Sequence, residues 1–259
     1  MPQTATYVYC VVQRATRPSV ARSLRGLPGS ARPSLVELGR TRWAVVGLVP
    51  LDRYGDAAIE ASIRDLDWVS SVALAHEAVV EYFARGRDAT VVPMKLFTMF
   101  SSAERLVGEL HSRQAGITAA IGRIRGAREW GVRVMRRQPA TRTISRSRAV
   151  QSGAAFLAAK KQVREDARQE IERARDAADR TFGMLARISK ETRRRDDVPD
   201  GAAAPPLLDA AFLVAAAKTT QFRAAVRRAS ADCRRAGAAL TLTGPWPAYN
   251  FVGPAGAQR

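Results

Sequence analysis

Runs of strand length alternate with stretches of helical period along this chain, and that order limits its fold more than any single motif does. Residues 7–12 (Tyr-Val-Tyr-Cys-Val-Val) are apolar on both alternating faces, the pattern of a strand covered on two sides. Residues 35–38 and 43–49 read as two strands joined by Gly39-Arg-Thr-Arg42, a hairpin signal. From about Leu66 to Ala84 the apolar positions Val72, Ala75, Val79 and Phe83 recur at helical spacing. Three strands followed by a helix predict an α+β domain over residues 1–88.

A second domain is expected over 89–243. Residues 91–97 read as a strand, with Pro93 marking an edge or strand end. Ser101-Ser-Ala-Glu104 has capping-box spacing and opens a helix whose stripe includes Leu106, Leu110, Ile117, Ile121 and Ile124. Residues 130–135 alternate Trp130, Val132 and Val134 on one side. Residues 136–148, polar and with five arginines and no acid, read as a mobile basic loop. From 153 to 195 one apolar stripe (Val163, Ala167, Ile171, Ala174, Ala178, Phe182, Leu185) runs through a heavily charged helix. Residues 196–206 read as a linker. A strand at 207–215, a helix at 219–235 and a strand at 239–243 complete the domain. Without the long helix the order is β-α-β-β-α-β, a modified ferredoxin-like sheet. The charged stretch, about 152–195, would then be a helical insertion projecting as a long extension. Residues 244–259 begin with Gly-Pro-Trp-Pro-Ala-Tyr-Asn-Phe, three aromatics and two prolines in eight residues. So apolar a tail must dock. The reading adopted is a non-helical tail packed between the two domains, with Trp246 buried and its truncation costing about 3–5 kcal/mol.

Composition narrows the function. Hydrophobic residues at 46% and charged residues at 25% are those of a globular chain. No apolar run is long enough to span a bilayer, and no basic-then-apolar leader opens the sequence, so a cytoplasmic protein with no membrane partner is expected. The net charge is +18. Lysine occurs only at 95, 160, 161, 190 and 218, so arginine carries the rest, which points to GC-rich coding as readily as to an anionic partner.

Catalytic groupings find little support. His76-Glu-Ala-Val-Val-Glu81 lacks the second histidine of a zincin helix, because position 80 is Val. Glu77 and Glu81 share a face, and Glu81 can pair with Arg85. A solvated or locally paired helix face accounts for them more simply than a metal or acid/base site. His111 stands alone in a polar helix. Cys10 sits among valines and reads as buried and inert, whereas Arg234 and Arg235 beside Cys233 could activate that thiol. Neither a phosphate-cradling glycine loop nor a Gly-x-Ser-x-Gly elbow is present. No enzyme activity, cofactor or metal is expected. A basic ferredoxin-like sheet is also an RNA-recognition architecture, and nucleic-acid binding is the alternative reading. The expected strands, however, offer only Trp130 and Phe212 and no match to the stacking pattern of that module.

Several segments, in order, resemble the gas vesicle accessory family GvpL/GvpF. They are residues 7–12, Gly26-Leu-Pro-Gly29, His76-Glu-Ala-Val-Val-Glu81, Val91-Val-Pro-Met-Lys-Leu-Phe-Thr98, Glu129-Trp-Gly-Val-Arg133, residues 152–160 and Gly244-Pro-Trp-Pro-Ala-Tyr-Asn-Phe251. The family usually has glycine where this chain has Phe97, and proline and serine where it has Ala248 and Asn250. The resemblance implies a two-domain α+β accessory protein that is not an enzyme. It would be found at the gas vesicle and contact the shell protein GvpA and other accessory proteins. It marks His76, Glu77, Glu81, Pro93, Trp130, Gly244, Pro245, Trp246, Pro247, Tyr249 and Phe251 as motif residues for inter-domain packing or interaction.

Overall fold

The computed structural model describes residues 3–86, 88–137, 153–195 and 205–253, with the backbone alone at 153–156. The expected basic loop beyond 137 and the linker residues 196–204 lie outside the described residues. The chain divides into two units, one of residues 1–129 and 245–259, the other of residues 130–244. Both are α+β and built on antiparallel sheets.

In the first unit, β1 (Thr4–Gln13), β2 (Ser34–Gly39) and β3 (Arg42–Pro50) are followed by short helices α1 (Leu51–Tyr54) and α2 (Asp56–Ser62) and by the long α3 (Leu66–Ala84). Strands β4 (Thr90–Pro93) and β5 (Met99–Phe100) and helices α4 (Ala103–Ser112) and α5 (Gln114–Ile124) come next. The sheet order is β2-β3-β1-β4, with β5 also paired to β1. Central β1 is buried on both faces, as its continuous apolar run requires. A bulge between Val8 and Cys10 switches the side-chain parity. Ala5, Tyr7 and Tyr9, then Cys10 and Val12, therefore all join the core with Val72, Val79 and Phe83 of α3. On the opposite face Val11 lines a cavity together with Leu110 of α4 and Ile117 of α5.

The Gly-Leu-Pro-Gly segment has a local cause. The hydroxyl of Tyr9 accepts the Leu27 N–H at 3.0 Å, and a Cβ at Gly26 would lie 2.5 Å from that hydroxyl. Leu27 is buried, and the Pro28 carbonyl accepts from Tyr54 at 2.8 Å. Phe97, at the position where the family usually has glycine, sits at φ 62, the left-handed region that disfavours a side chain by roughly 1–2 kcal/mol. Its ring lies parallel to Trp68 at 5.7 Å, which offsets that strain.

The second unit takes its sheet from β6 (Ala127–Arg136), β7 (Glu191–Arg194), β8 (Leu208–Ala215) and β9 (Ala238–Trp246), in the order β7-β8-β6-β9. Helices α6 (Gly153–Ala186) and α7 (Thr219–Arg235) pack on one face of it. Ala174, Ala178 and Leu185 of α6 and Phe222, Val226 and Cys233 of α7 meet Trp130, Val132, Phe212 and Val214.

These elements correct the expected assignment. The strand expected over 91–97 is the shorter β4, and it pairs with β1, so α4 and α5 belong to the first unit as well. Two consecutive valines fit the vacant side of β1 as well as they fit any other sheet, and the pattern names no partner. The 152–195 stretch is not an insertion projecting from a complete sheet. Its helix ends at Ala186, Glu191–Arg194 forms a strand paired with β8, and α6 is itself the connection from β6 to β7. Only the C-terminal half of its stripe is covered, and Val163 stays exposed. The helix near 101 is capped by Ser102, which accepts from Arg105 N, rather than by Ser101. The tail is not wholly non-helical, as its prolines suggest it would be. β9 runs to Trp246, and Tyr249–Phe251 make one 3-10 turn after the last proline.

Candidate functional site

The candidate residues converge on α3. Its start is fixed by Asp65, whose carboxylate accepts from the N–H groups of Asp67 and Trp68. About three turns on, His76 points inward and is 1% exposed. Its Nδ1 lies 2.8 Å from the hydroxyl of Tyr7, and the rings of Tyr7 and Tyr9 meet edge-on at 4.9 Å. Burial drives the imidazole down to about 4, opposed by the nearby Met94 backbone, so it is neutral at physiological pH. The neutral imidazole shares one hydrogen bond with the Tyr7 hydroxyl through Nδ1, and its Nε2 makes no hydrogen bond of sound geometry among the described residues. Burial also raises the Tyr7 hydroxyl and the Cys10 thiol, which leaves both inert at neutral pH.

Glu77 and Glu81 lie one turn apart and do different things. Glu77 Oε2 accepts a short hydrogen bond from the hydroxyl of Tyr249 in the tail. Burial pushes its carboxyl up; the Tyr249 bond and the charge of Arg128 pull the other way, while Glu81 and Glu129 add to the rise. Burial, reinforced by Glu77, raises the Tyr249 hydroxyl too. Glu81 pairs with Arg128 at 3.0 Å and with Arg85 at 3.3 Å. Arg128 also reaches the Ala84 carbonyl at 2.8 Å, which closes the C-terminal end of α3.

The tail is held by residues that sequence reasoning missed. Glu129 is 4% exposed and grips Asn250 twice, accepting its backbone N–H at 2.9 Å and its side-chain amide. Arg123 of α5 donates to the carbonyls of Phe251 and Gly253 at 3.0 and 2.7 Å. Phe251 is wholly buried, and Pro247 and Ala248 are buried with it. One signal could have found this latch. Glu129 belongs to a quoted motif, and a carboxylate before an apolar strand requires a donor when buried.

The structure brings His76, Glu77, Glu81, Tyr249 and Phe251 together within the first unit. Pro93 ends β4 opposite Cys10, where its missing N–H costs nothing. Gly244 has φ 107, a backbone only glycine adopts easily, and the carbonyl of Pro245 lies at the limit of Arg128's reach, 3.5 Å. Trp130 belongs instead to the core of the second unit, 6.0 Å from Phe222. Trp246 is 43% exposed, so the expected large cost of truncating it is withdrawn. Trp246→Ala should shift stability by no more than about 1 kcal/mol in a thermal melt; a larger loss would mean that this ring anchors the fold.

The same geometry bears on the chemical readings. Among the described residues no three His, Cys, Asp or Glu side chains cluster as a metal site. His111 hydrogen-bonds the Leu38 carbonyl at 3.3 Å, and Cys233 is buried beside Thr181. Trp130 and Phe212 are packed beneath helices and cannot stack on bases. No helix among the described residues is long and apolar enough to cross a membrane.

Residues 5–253 match the family model described as gas vesicle synthesis protein GvpL/GvpF. Gas vesicle protein L of Streptomyces sp. (strain CB03234) is 30% identical over 259 residues, 95% of this chain and 92% of the relative. The fold is similar to the crystal structure of gas vesicle protein GvpF from Anabaena sp. PCC7120 (TM-score 0.66, 14% identity, 96% of this chain and 98% of that one). It is also similar to that of GvpF from Microcystis aeruginosa (TM-score 0.62, 10% identity, 96% and 99%).

Proposed function

Since the chain belongs to the GvpL/GvpF family of gas vesicle synthesis proteins, we propose that it serves vesicle formation as a non-catalytic assembly factor that binds the shell protein GvpA and other accessory proteins. It would work in the cytoplasm, at the growing vesicle. The observation that carries this reading is the family match along nearly the whole chain. The site supports it too. Its polar groups are spent on fastening the protein's own tail, with Tyr249 on Glu77 and Asn250 on Glu129. The strand order β7-β8-β6-β9 around two crossover helices supports assigning the second unit to the ferredoxin-like class.

The experiment is a pull-down with purified shell and accessory proteins. Retention of GvpA is expected, and failure to retain any vesicle protein would overturn the proposal. With a net charge of +18, capture of acidic surfaces should weaken several-fold as salt rises from about 50 to 300 mM. Binding that ignores salt would assign the contact to apolar surface instead.

A further inference from the structure

Outer strands invite pairing, and folded proteins commonly protect them by shortness, charge or proline. Among the described residues all outer strands but one follow that rule. β7 is four residues long with three charges, β4 is four residues long and ends in Pro93, and β2 carries Glu37. β9 does not. It is nine residues long, reads Ala-Ala-Leu-Thr-Leu-Thr-Gly-Pro-Trp, has no charged side chain, and among the described residues pairs with β6 alone.

The direction in which its backbone groups point follows from two contacts. The Arg137 N–H donates to the Gly237 carbonyl at 2.9 Å. Further along, Thr243 lies opposite Gly131, where a Cβ would fall 2.5 Å from Thr243 Oγ1. Both contacts fit one antiparallel register, in which odd-numbered residues of β9 face odd-numbered residues of β6. On the other side of β6, the carbonyl of even-numbered Val134 accepts from Leu207 N–H at 2.8 Å, as alternation requires. The N–H and C=O groups of Ala238, Leu240 and Leu242 therefore point away from the sheet. Gly244, at φ 107, ends the regular alternation, so the outward edge runs from Ala238 to Thr243 and Pro245 lies beyond it.

We propose that β9 pairs antiparallel with β9 of a second copy about a twofold axis at Thr241, joining two four-stranded sheets into one. The strand is its own complement. Centred on Thr241, Leu240 faces the second copy's Leu242 on the side of the helices. Thr241 faces its own counterpart and Ala239 faces Thr243 on the other side. Apolar pairs and threonine pairs both favour a sheet. With no charge in the strand, the twofold sets no like charges against each other. The outward residues match in parity, so Leu240 and Leu242, inside the regular stretch of the strand, bond their counterparts in full. Thr241 falls in a non-hydrogen-bonded pair, the closer of the two spacings.

The test uses the intact chain. Sedimentation should give a dimer of the 28.2 kDa protein at micromolar concentration. Thr241→Lys and Thr241→Glu each set like charges on the axis, at an exposed position that leaves the fold intact. Each should raise the dimer dissociation constant about tenfold or more, and mixing the two should restore association. Thr241→Cys should form an intermolecular disulfide under mild oxidation, since the two native cysteines are buried. Thr241→Lys dimerising like the parent, or a mixture that stays dissociated, overturns the proposal. So does a monomer whose β9 amides gain exchange protection only when GvpA is added, which would assign the edge to a foreign strand.

Discussion

Replacing Phe251 with alanine should lower the melting temperature by on the order of 10 °C, a larger effect than any other change in the tail. The ring is wholly buried, and emptying such a site costs about 3–5 kcal/mol, each worth roughly 2–4 °C in a domain of this size. The loss has a second part. Arg123 grips the Phe251 and Gly253 carbonyls, and Glu129 holds Asn250. If the turn lifts off, a buried carboxylate loses the partners it was desolvated to meet. Hydrogen exchange should therefore accelerate in α3 and α5 as well as in the tail. Tyr249→Phe keeps the ring and removes only the bond to Glu77, so it should cost much less. An unchanged melting temperature for Phe251→Ala would mean that the tail does not stabilise the first unit.

Acid should weaken the fold through His76. In the unfolded chain the imidazole titrates at its ordinary 6.5, whereas in the fold it is held down to about 4. Between those values the unfolded state binds the extra proton. Stability is therefore full above pH 6.5 and is lost as pH falls toward 4, by about 3 kcal/mol in total. Glu77 acts oppositely. Its raised carboxyl takes up a proton more readily in the fold, which adds stability as pH falls. The comparison that isolates His76 is therefore the difference in slope between the parent and His76→Gln, whose amide can still hydrogen-bond Tyr7. Urea titrations at pH 7 and pH 4 should show the parent losing about 3 kcal/mol more than the variant over that window. Equal slopes would mean that the imidazole is solvated.

Much of the architecture was legible, because local pattern and local structure coincide where a strand or helix buries its own stripe. The β2–β3 hairpin was readable from Gly39-Arg-Thr-Arg42, α3 from its apolar spacing, and α7 and β8 nearly to the residue. What escaped was partnership. Nothing in Val91-Val92 says that the waiting strand is β1, eighty residues back. Glu191–Arg194 is charged, four residues long and follows a long helix, so it reads as the end of that helix. Missing it turned a crossover helix into an insertion.

The candidate site was legible in its aromatic half only. Tyr249 and Phe251 stand out because large apolar side chains must be covered. Glu129, Arg123 and Asn250 are ordinary polar residues until the fold buries them against one another. Trp246 was misjudged because size alone does not settle which of three neighbouring aromatics turns inward. Phe97 shows how an unusual residue persists where glycine would sit more easily: its stack on Trp68 is available to no glycine.

The chain leaves the first unit after Glu129 and returns to it at Pro245. A ribosome releases residues in order, so the opening 129 emerge long before the segment that locks them. Until Phe251 arrives, its pocket is empty and Glu129 lacks Asn250. The first unit therefore matures only after translation of the second, and a message cut short near codon 245 would yield a protein whose earliest-made part is the one left unfinished.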